Sequence, residues 1–349
     1  MKFYTDIQRP FIIAGPCSAE SRDQLLESAE RVAQAGAHAL RAGLWKPRSH
    51  PGCFEGAGEN GLPWLVEAGR ANGLLTCTEV AGAKHVEACL KAGVDFVWIG
   101  ARTTASPFLV QEIADALRGT GLPVFVKNPP SPDRDLWMGA IERLESASVS
   151  ELGVIWRGVL AYEPGKYRNL PHWQMAIEMR TRRPDLPFLC DPSHIAGERK
   201  YVPEIAKKAM DLGLDGLMIE AHCRPDEALS DSRQQLGPEM LAKLLSGLKA
   251  RETSAPSGPD LTFLRARIDE LDASLVDTLA ARMAVSREIG VLKKENDFAL
   301  VQASRWEEVR TRALENAAAS GLNPSFVEDI FNRIHEESVN EQDKILNRI

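Results

Sequence analysis

The sequence predicts an α/β protein: a (β/α)8 TIM barrel followed by an all-α, three-helix dimerising domain. Eight short apolar runs rich in Val, Ile, Leu and Phe recur in the first 248 residues, their starts 22 to 36 residues apart. Helix-like segments fill the intervals between them. Composition then changes abruptly: residues 1–248 hold 23 of the 26 glycines and 18 of the 21 prolines, whereas residues 260–349 hold two glycines and one proline.

In chain order the apolar runs are Phe11–Gly15, His38–Gly43, Leu74–Val80, Phe96–Ala101, Pro123–Asn128, Val154–Val159, Pro187–Asp191 and Gly216–His222. Asp23–Ala35, Lys84–Ala92, Pro107–Arg118 and Val202–Leu212 read as helices between them. Continuous apolar strands alternating with helices imply a parallel sheet covered on both faces. Eight units in about 250 residues fit a closed barrel, and an open doubly wound sheet uses the same units in another order. Strand-end chemistry favours the barrel, whose C-terminal strand ends share one mouth. Those ends carry Cys17, Arg41 with Lys46, Glu79, Arg102, Lys127, Arg157, His194 and Glu220, with Asp231 in the loop after the last.

The expected domains are residues 1–248, a linker at 249–259 (KARETSAPSGP) of small, polar and Pro/Gly-bearing composition, and residues 260–349. Beyond the linker, Leu264, Ile268, Leu271, Leu275, Leu279 and Met283 recur at steps of three or four, continuing through Ile289 and Leu292. This is one amphipathic helix from Asp260 to about Glu295, on the order of 54 Å long, whose stripe needs a partner chain to cover it. Helices at Gln302–Ser320 and Pro324–Leu346 follow, parted by Gly321–Asn323.

The net charge is −7, and the last 90 residues supply −5 of it, with 12 Lys+Arg against 17 Asp+Glu. Such a chain has no generic attraction to nucleic acid or anionic lipid. No run of about 18 apolar residues and no signal-peptide pattern occurs, so a cytoplasmic protein without a membrane partner is expected. The six cysteines, Cys17, Cys53, Cys77, Cys89, Cys190 and Cys223, are irregularly spaced without CxxC and read as reduced thiols.

Two sets of residues carry chemistry. Cys17, His194, Glu220 and Asp231 offer a thiolate, an imidazole and two carboxylates, a mixed set suited to a divalent first-row metal (Mn, Fe, Co or Zn) rather than Ca or Mg. Arg41, Lys46, Arg48, Arg102, Lys127 and Arg157 are cations converging on the same mouth, suited to small, multiply charged anions. Cations beside a carbonyl-polarising metal suggest carbon–carbon bond chemistry on phosphorylated sugars or enol phosphates.

Ala14–Glu20 (AGPCSAE), Leu40–Ser49 (LRAGLWKPRS), Thr78–Val80, Ile99–Arg102, Val126–Lys127, Arg157–Gly158, Asp191–His194 (DPSH), Ile219–His222 and Ser230–Asp231 together resemble the type I 3-deoxy-D-arabino-heptulosonate 7-phosphate (DAHP) synthases. The match spans the barrel in order and spacing, including 26 residues from His194 to Glu220 and 11 more to Asp231. It resembles the compact form without an extra N-terminal regulatory domain. The resemblance implies condensation of phosphoenolpyruvate with erythrose 4-phosphate. Cys17, His194, Glu220 and Asp231 then hold the metal, Arg41 and Lys46 take the phosphoenolpyruvate carboxylate, and Arg102, Lys127 and Arg157 its phosphate. Pro47, Arg48 and Ser49 hold the sugar phosphate, Lys46 donates a proton to the forming alkoxide, and Glu79 orients the water that adds at C2. Ser49, Ala42 and Asn128–Pro129 depart from the common pattern. The sister enzyme that uses arabinose 5-phosphate usually has Lys-Ala-Asn-Arg-Ser, so Lys46–Ser49 favours the four-carbon sugar.

Residues 260–349 resemble the all-helical chorismate mutases. The resemblance implies that Arg265, Arg282, Lys293, Gln302, Arg305, Ser338 and Gln342 bind chorismate, without any cofactor, and that Arg265 reaches into the partner chain's site of a homodimer or higher assembly. Gln302 and Arg305–Trp306 stand where that family has an Asp and an Arg-Glu pair. The expected protein is therefore bifunctional, its barrel feedback-inhibited by chorismate or prephenate. The alternatives are a helical domain that only senses ligand and dimerises, and a barrel that takes another phosphosugar.

Overall fold

The structure, a computed structural model, describes residues 9–46, 52–162, 165–249 and 259–347. It consists of two compact units, Met1–Thr253 and Ser254–Ile349. Residues 250–258 of the expected linker, and Pro47, Arg48 and Ser49, lie outside the described residues.

All eight apolar runs contribute strands: β1 (Phe11–Gly15), β2 (Ala39–Arg41), β3 (Leu75–Val80), β4 (Phe96–Ile99), β5 (Val124–Lys127), β6 (Leu152–Trp156), β9 (Phe188–Cys190) and β10 (Gly216–Glu220). They close in the order β1-β10-β9-β6-β5-β4-β3-β2, every neighbour parallel, and β1 pairs β10 from Phe11↔Gly216 to Gly15↔Glu220. Closure excludes the open sheet. Between the strands run α1 (Arg22–Gln34), α2 (Gly61–Ala71), α3 (Ala83–Ala92), α4 (Ala101–Thr104), α5 (Pro107–Leu117), α6 (Arg134–Ser146), α7 (Trp173–Arg182), α8 (Pro192–Ala196) and α9 (Val202–Asp211), and α10 (Pro238–Gly247) follows the last strand. Their ends carry ordinary helix punctuation: Ser21 Oγ accepts from the Gln24 amide, Asp133 Oδ1 from the Leu136 amide, and Pro107 opens α5.

The run Val154–Val159 is not one strand. β6 stops at Trp156, and Gly158 (φ +74°) turns the chain outward into a two-stranded hairpin, β7 (Val159–Leu160) with β8 (Asn169–Leu170). A Cβ at Gly158 would lie 2.7 Å from the Leu170 carbonyl oxygen, so glycine is required where the hairpin folds back.

Successive strand residues face opposite sides, so the barrel interior is read by parity. One set packs outward against the helices, including Ile12, Leu40, Val97, Val126, Trp156 and Ile219. The other fills the interior: Phe11, Ile13, Ala39, Cys77, Phe96, Trp98, Phe125, Ile155, Leu189 and Met218. Carried two residues on, the inward parity reaches Arg41, Glu79, Lys127, Arg157, Asp191 and Glu220. A packed apolar plug thus ends upward in a charged layer.

The second unit comprises α11 (Pro259–Glu295), α12 (Ala303–Ala319) and α13 (Pro324–Leu346). Gly321 adopts φ +69°, and Asn323 Oδ1 accepts from the Ser325 amide to cap α13. α13 packs against both other helices, and a small core forms from Ala313, Ala317 and Val327 with Phe331. Leu264, Ile268, Leu271 and Leu275 remain 53–62% exposed. Among the described residues no helix is long and apolar enough to cross a membrane.

In the plug, Gly153 on β6 stands opposite Phe125 on β5, and a Cβ there would fall 2.4 Å from the fully buried Phe125 ring. Gly153→Ala is therefore expected to destabilise the barrel by about 1–3 kcal/mol through overpacking; urea denaturation of the full chain measures this, and an unchanged midpoint contradicts it.

Candidate active site

The charged layer opens into a cavity of about 390 Å³ lined by Lys46, Glu79, Arg102, Lys127, Arg157, His194 and Asp231 among others. Beneath it Arg41, Cys17 and Glu220 are almost wholly buried. The Cys17, Glu220 and Asp231 ligand atoms lie within 4.8 Å of one another. Cys17 Sγ is 3.3 Å from Asp231 Oδ2, and His194 adjoins them, its Nε2 3.8 Å from Glu220 Oε1 and its Nδ1 2.8 Å from Asp191 Oδ2. Lys46 Nζ donates to Cys17 Sγ at 3.1 Å and to the Cys17 carbonyl at 3.2 Å.

Arg41, Lys127 and Arg157 are each held by specific partners. Arg41 meets Glu220 at 3.3 Å, and Lys127 meets Asp191 at 2.6 Å. Arg157 donates through Nη1 to Asn169 Oδ1, while its backbone amide donates to Asn128 Oδ1, so the unusual Asn128–Pro129 serves to fix Arg157. Arg102 is exposed at the rim.

Burial pushes the Cys17 thiol up to about 12, with Glu220 adding to the effect. For the carboxylates burial acts upward too, and neighbouring charge overrides it. His194, Arg168 and Lys46 bring Asp231 down to about 2. His194 and Arg41 lower Glu220, and His194 and Lys127 hold Asp191 well below the usual range. The Lys46 ammonium likewise stays charged: Cys17, Glu220 and Glu79 outweigh its burial.

Sequence reasoning named neither the supports nor the floor of this site. Gln234 Nε2 donates to Glu220 Oε2 at 2.6 Å, and Gln235 Oε1 accepts from the Cys17 amide at 2.9 Å. Arg168, on the hairpin, reaches Asp231 at 3.2 Å and Gln234 at 3.0 Å. Trp98 donates to Glu79 at 3.0 Å. Asp231 itself has φ +44°, a left-handed conformation that Asp tolerates better than most residues.

In the helical unit a second cation cluster forms. Arg282 donates to the Ser338 hydroxyl, and Lys293 Nζ donates to Gln342 Oε1 at 2.9 Å and to the Leu300 carbonyl at 2.6 Å. Ser338 and Gln342 are buried. The Trp306 and His335 rings stack at 4.1 Å. The other expected ligands are not gathered here within one chain: Arg265 is exposed, 17 residues or roughly 26 Å along α11 from Arg282. Arg305 pairs with Glu308, and Gln302 precedes α12 without a capping bond from its side chain.

Residues 5–254 match the DAHP synthetase I family. The chain belongs to this family. Residues 264–343 match chorismate mutase type II, so a DAHP synthase type I domain is fused to a chorismate mutase domain in a bifunctional enzyme. The phospho-2-dehydro-3-deoxyheptonate aldolase of Thermotoga maritima is 31% identical over 238 residues, 68% of each chain. A 2-dehydro-3-deoxyphosphooctonate aldolase of Nitratidesulfovibrio vulgaris is 29% identical over 258 residues, covering 69% of this chain and 92% of that one. The crystal structure of the Thermotoga maritima DAHP synthase superposes with a TM-score of 0.62 at 30% identity, covering 69% of this chain and 70% of that one.

The residues of this DAHP synthase domain fit a divalent metal. Thiol, imidazole and carboxylate are first-row ligands with bonds of about 2.0–2.3 Å. Glu220 Oε1 is buried without a hydrogen bond, its nearest cation being Arg41. Since the Cys17 thiol is protonated well above neutrality, a metal must displace that proton. Metal affinity is therefore expected to rise with pH, by about ten-fold per unit between pH 7 and 8.5, and Cys17→Ser to flatten this slope and weaken binding. Chelator competition measures both; a pH-independent wild-type affinity contradicts thiolate ligation.

Proposed function

We propose that the barrel condenses phosphoenolpyruvate with erythrose 4-phosphate to DAHP and that the helical unit converts chorismate to prephenate. The observation that carries the first reading is the juxtaposition of the Cys17–Glu220–Asp231 triad with Arg102, Lys127 and Arg157 around one cavity. A Mn, Fe, Co or Zn ion held by Cys17, Glu220, Asp231 and His194 supplies Lewis acidity toward the aldehyde oxygen. Arg41 and Lys46 hold the phosphoenolpyruvate carboxylate; Arg102, Lys127 and Arg157 hold its phosphate. Pro47, Arg48 and Ser49 take the sugar phosphate. C3 of phosphoenolpyruvate bonds to C1 of the aldehyde, Lys46 protonates the new alkoxide, Glu79 orients the water that adds at C2, and inorganic phosphate leaves. The likeness to 2-dehydro-3-deoxyphosphooctonate aldolases favours a second reading with arabinose 5-phosphate as the sugar. Lys46–Ser49 argues for the shorter one.

The cluster of Arg282, Lys293, Ser338 and Gln342 supports the mutase reading. A pericyclic rearrangement needs no acid, base or metal, only a compact conformer and cations near the breaking ether. Arg265 completes this site from a second copy, whose α11 covers the exposed leucines. Gln302 and Arg305 serve at its rim. Chorismate or prephenate bound there slows the barrel by differential affinity for two states of the protein. Failure of isolated residues 255–349 to form prephenate while binding chorismate would instead favour a pure sensor.

Paired assays test these readings together. EDTA is expected to lower condensation at least about 100-fold and leave the mutase within about two-fold. Erythrose 4-phosphate is expected to outperform arabinose 5-phosphate, and prephenate to inhibit the barrel; EDTA-resistant condensation, the reverse sugar preference or absent inhibition sinks the corresponding claim. The double substitution Leu271→Asp and Leu275→Asp is expected to give monomers in sedimentation and to cut mutase turnover about ten-fold or more by withdrawing Arg265. A monomeric wild type rejects the shared site.

A further inference from the structure

We infer that Trp98 is a positioning residue of the condensation site: its indole N–H fixes Glu79, and its ring is the platform on which Arg41 and Lys127 rest. The inference deepens the proposed barrel reaction and rests on it. Trp98 faces inward on β4, fully buried and in register with Glu79 on β3. Its Nε1 donates to Glu79 Oε2 at 3.0 Å. Gly100 leaves room for the other oxygen in this position, since a Cβ there would lie 2.1 Å from Glu79 Oε1. The carboxylate is therefore set in one orientation by its strand neighbour.

The same ring carries two cations, with Arg41 Cζ 5.0 Å and Lys127 Nζ 5.6 Å from it. Both cations already have an acidic partner, Glu220 and Asp191. A third carboxylate would cancel the charge that an anionic substrate needs, whereas an aromatic face orients a cation and leaves its charge intact. Arg41 Nε and Nη1 are buried without hydrogen bonds, so Glu220 and the ring hold this guanidinium rather than a web of acceptors. Indole is donor-only at nitrogen and aromatic elsewhere, which lets one side chain serve a carboxylate and two cations at once.

Steady-state kinetics on the full-length, metal-loaded chain test this. Trp98→Phe keeps a ring and loses the N–H; its kcat is expected to fall about ten-fold, with KM for phosphoenolpyruvate within about two-fold of wild type. In a Glu79→Gln background the same change is expected to cost less than about two-fold, because the effect runs through Glu79. Trp98→Leu removes the platform as well and is expected to raise that KM about ten-fold. Replacing the indole by isosteric benzothiophene, which lacks the N–H at nearly equal volume, is expected to reproduce the Phe result without disturbing packing. A wild-type kcat in the benzothiophene variant, or an equal loss in the Glu79→Gln background, overturns the inference. A wild type that binds phosphoenolpyruvate but does not condense it overturns the functional reading instead. In that event calorimetric Kd values decide the platform, with weaker binding by Trp98→Leu supporting it and equal values overturning it.

Discussion

Arg41 against Glu220 and Lys127 against Asp191 are ion pairs withdrawn almost entirely from water, and the upper half of the barrel is arranged around them. Removing one partner of such a pair typically costs about 3–5 kcal/mol, while replacing both by apolar groups is often neutral or stabilising. Stability therefore does not require these charges. The fold carries them by surrounding each with fixed partners: Gln234 on Glu220, His194 on Asp191, the Trp98 ring beneath both cations. Below this layer the same inward parity is satisfied by Phe11, Phe96 and Phe125 packed into an apolar plug. Strand alternation supplies both halves, and the residue type at each level decides whether the barrel is filled or functional.

Much of the barrel was legible because a parallel strand buried on both faces reads as a continuous apolar run, and a charged residue at the end of such a run stands out. The same logic hid what lies within a run. Trp98 looks like one more core residue until its nitrogen is seen against Glu79. Gln234, Gln235 and Arg168 sit in polar loops where nothing in periodicity separates a ligand's support from a solvated side chain. Beyond Trp156, where β6 ends, the left-handed turn at Gly158 sends Val159 out of the barrel although it continues the apolar run. In the helices, charges at helical spacing resemble a solvated face. Arg282 and Lys293 are distinguished by what α13 brings to them, Ser338 and Gln342, a long-range pairing that one helix's pattern does not contain.

The two candidate sites solve different problems with different means. In the barrel, carboxylates and cations line one mouth and are interleaved at short range, and short strands place them with little freedom. The helical cluster concentrates cations on α11 and answers them with neutral partners from α13, a hydroxyl and an amide. Such partners orient the cations while leaving their charge uncancelled. Glycine largely follows this division: close approaches such as Gly100 against Glu79 are concentrated in the barrel, while the helical unit keeps Gly290 against Gln342 and the turn at Gly321.

The exposed stripe of α11 has a thermodynamic side. Leu264, Ile268, Leu271 and Leu275 keep more than half their surface in water on a single chain, and the core beneath α13 is only a few residues deep. If a second copy supplies the missing cover, the folding free energy of this unit contains a mass-action term. The helical unit is then more stable in a concentrated cell than in a dilute cuvette. Protein abundance itself becomes a variable setting how much of the second site exists.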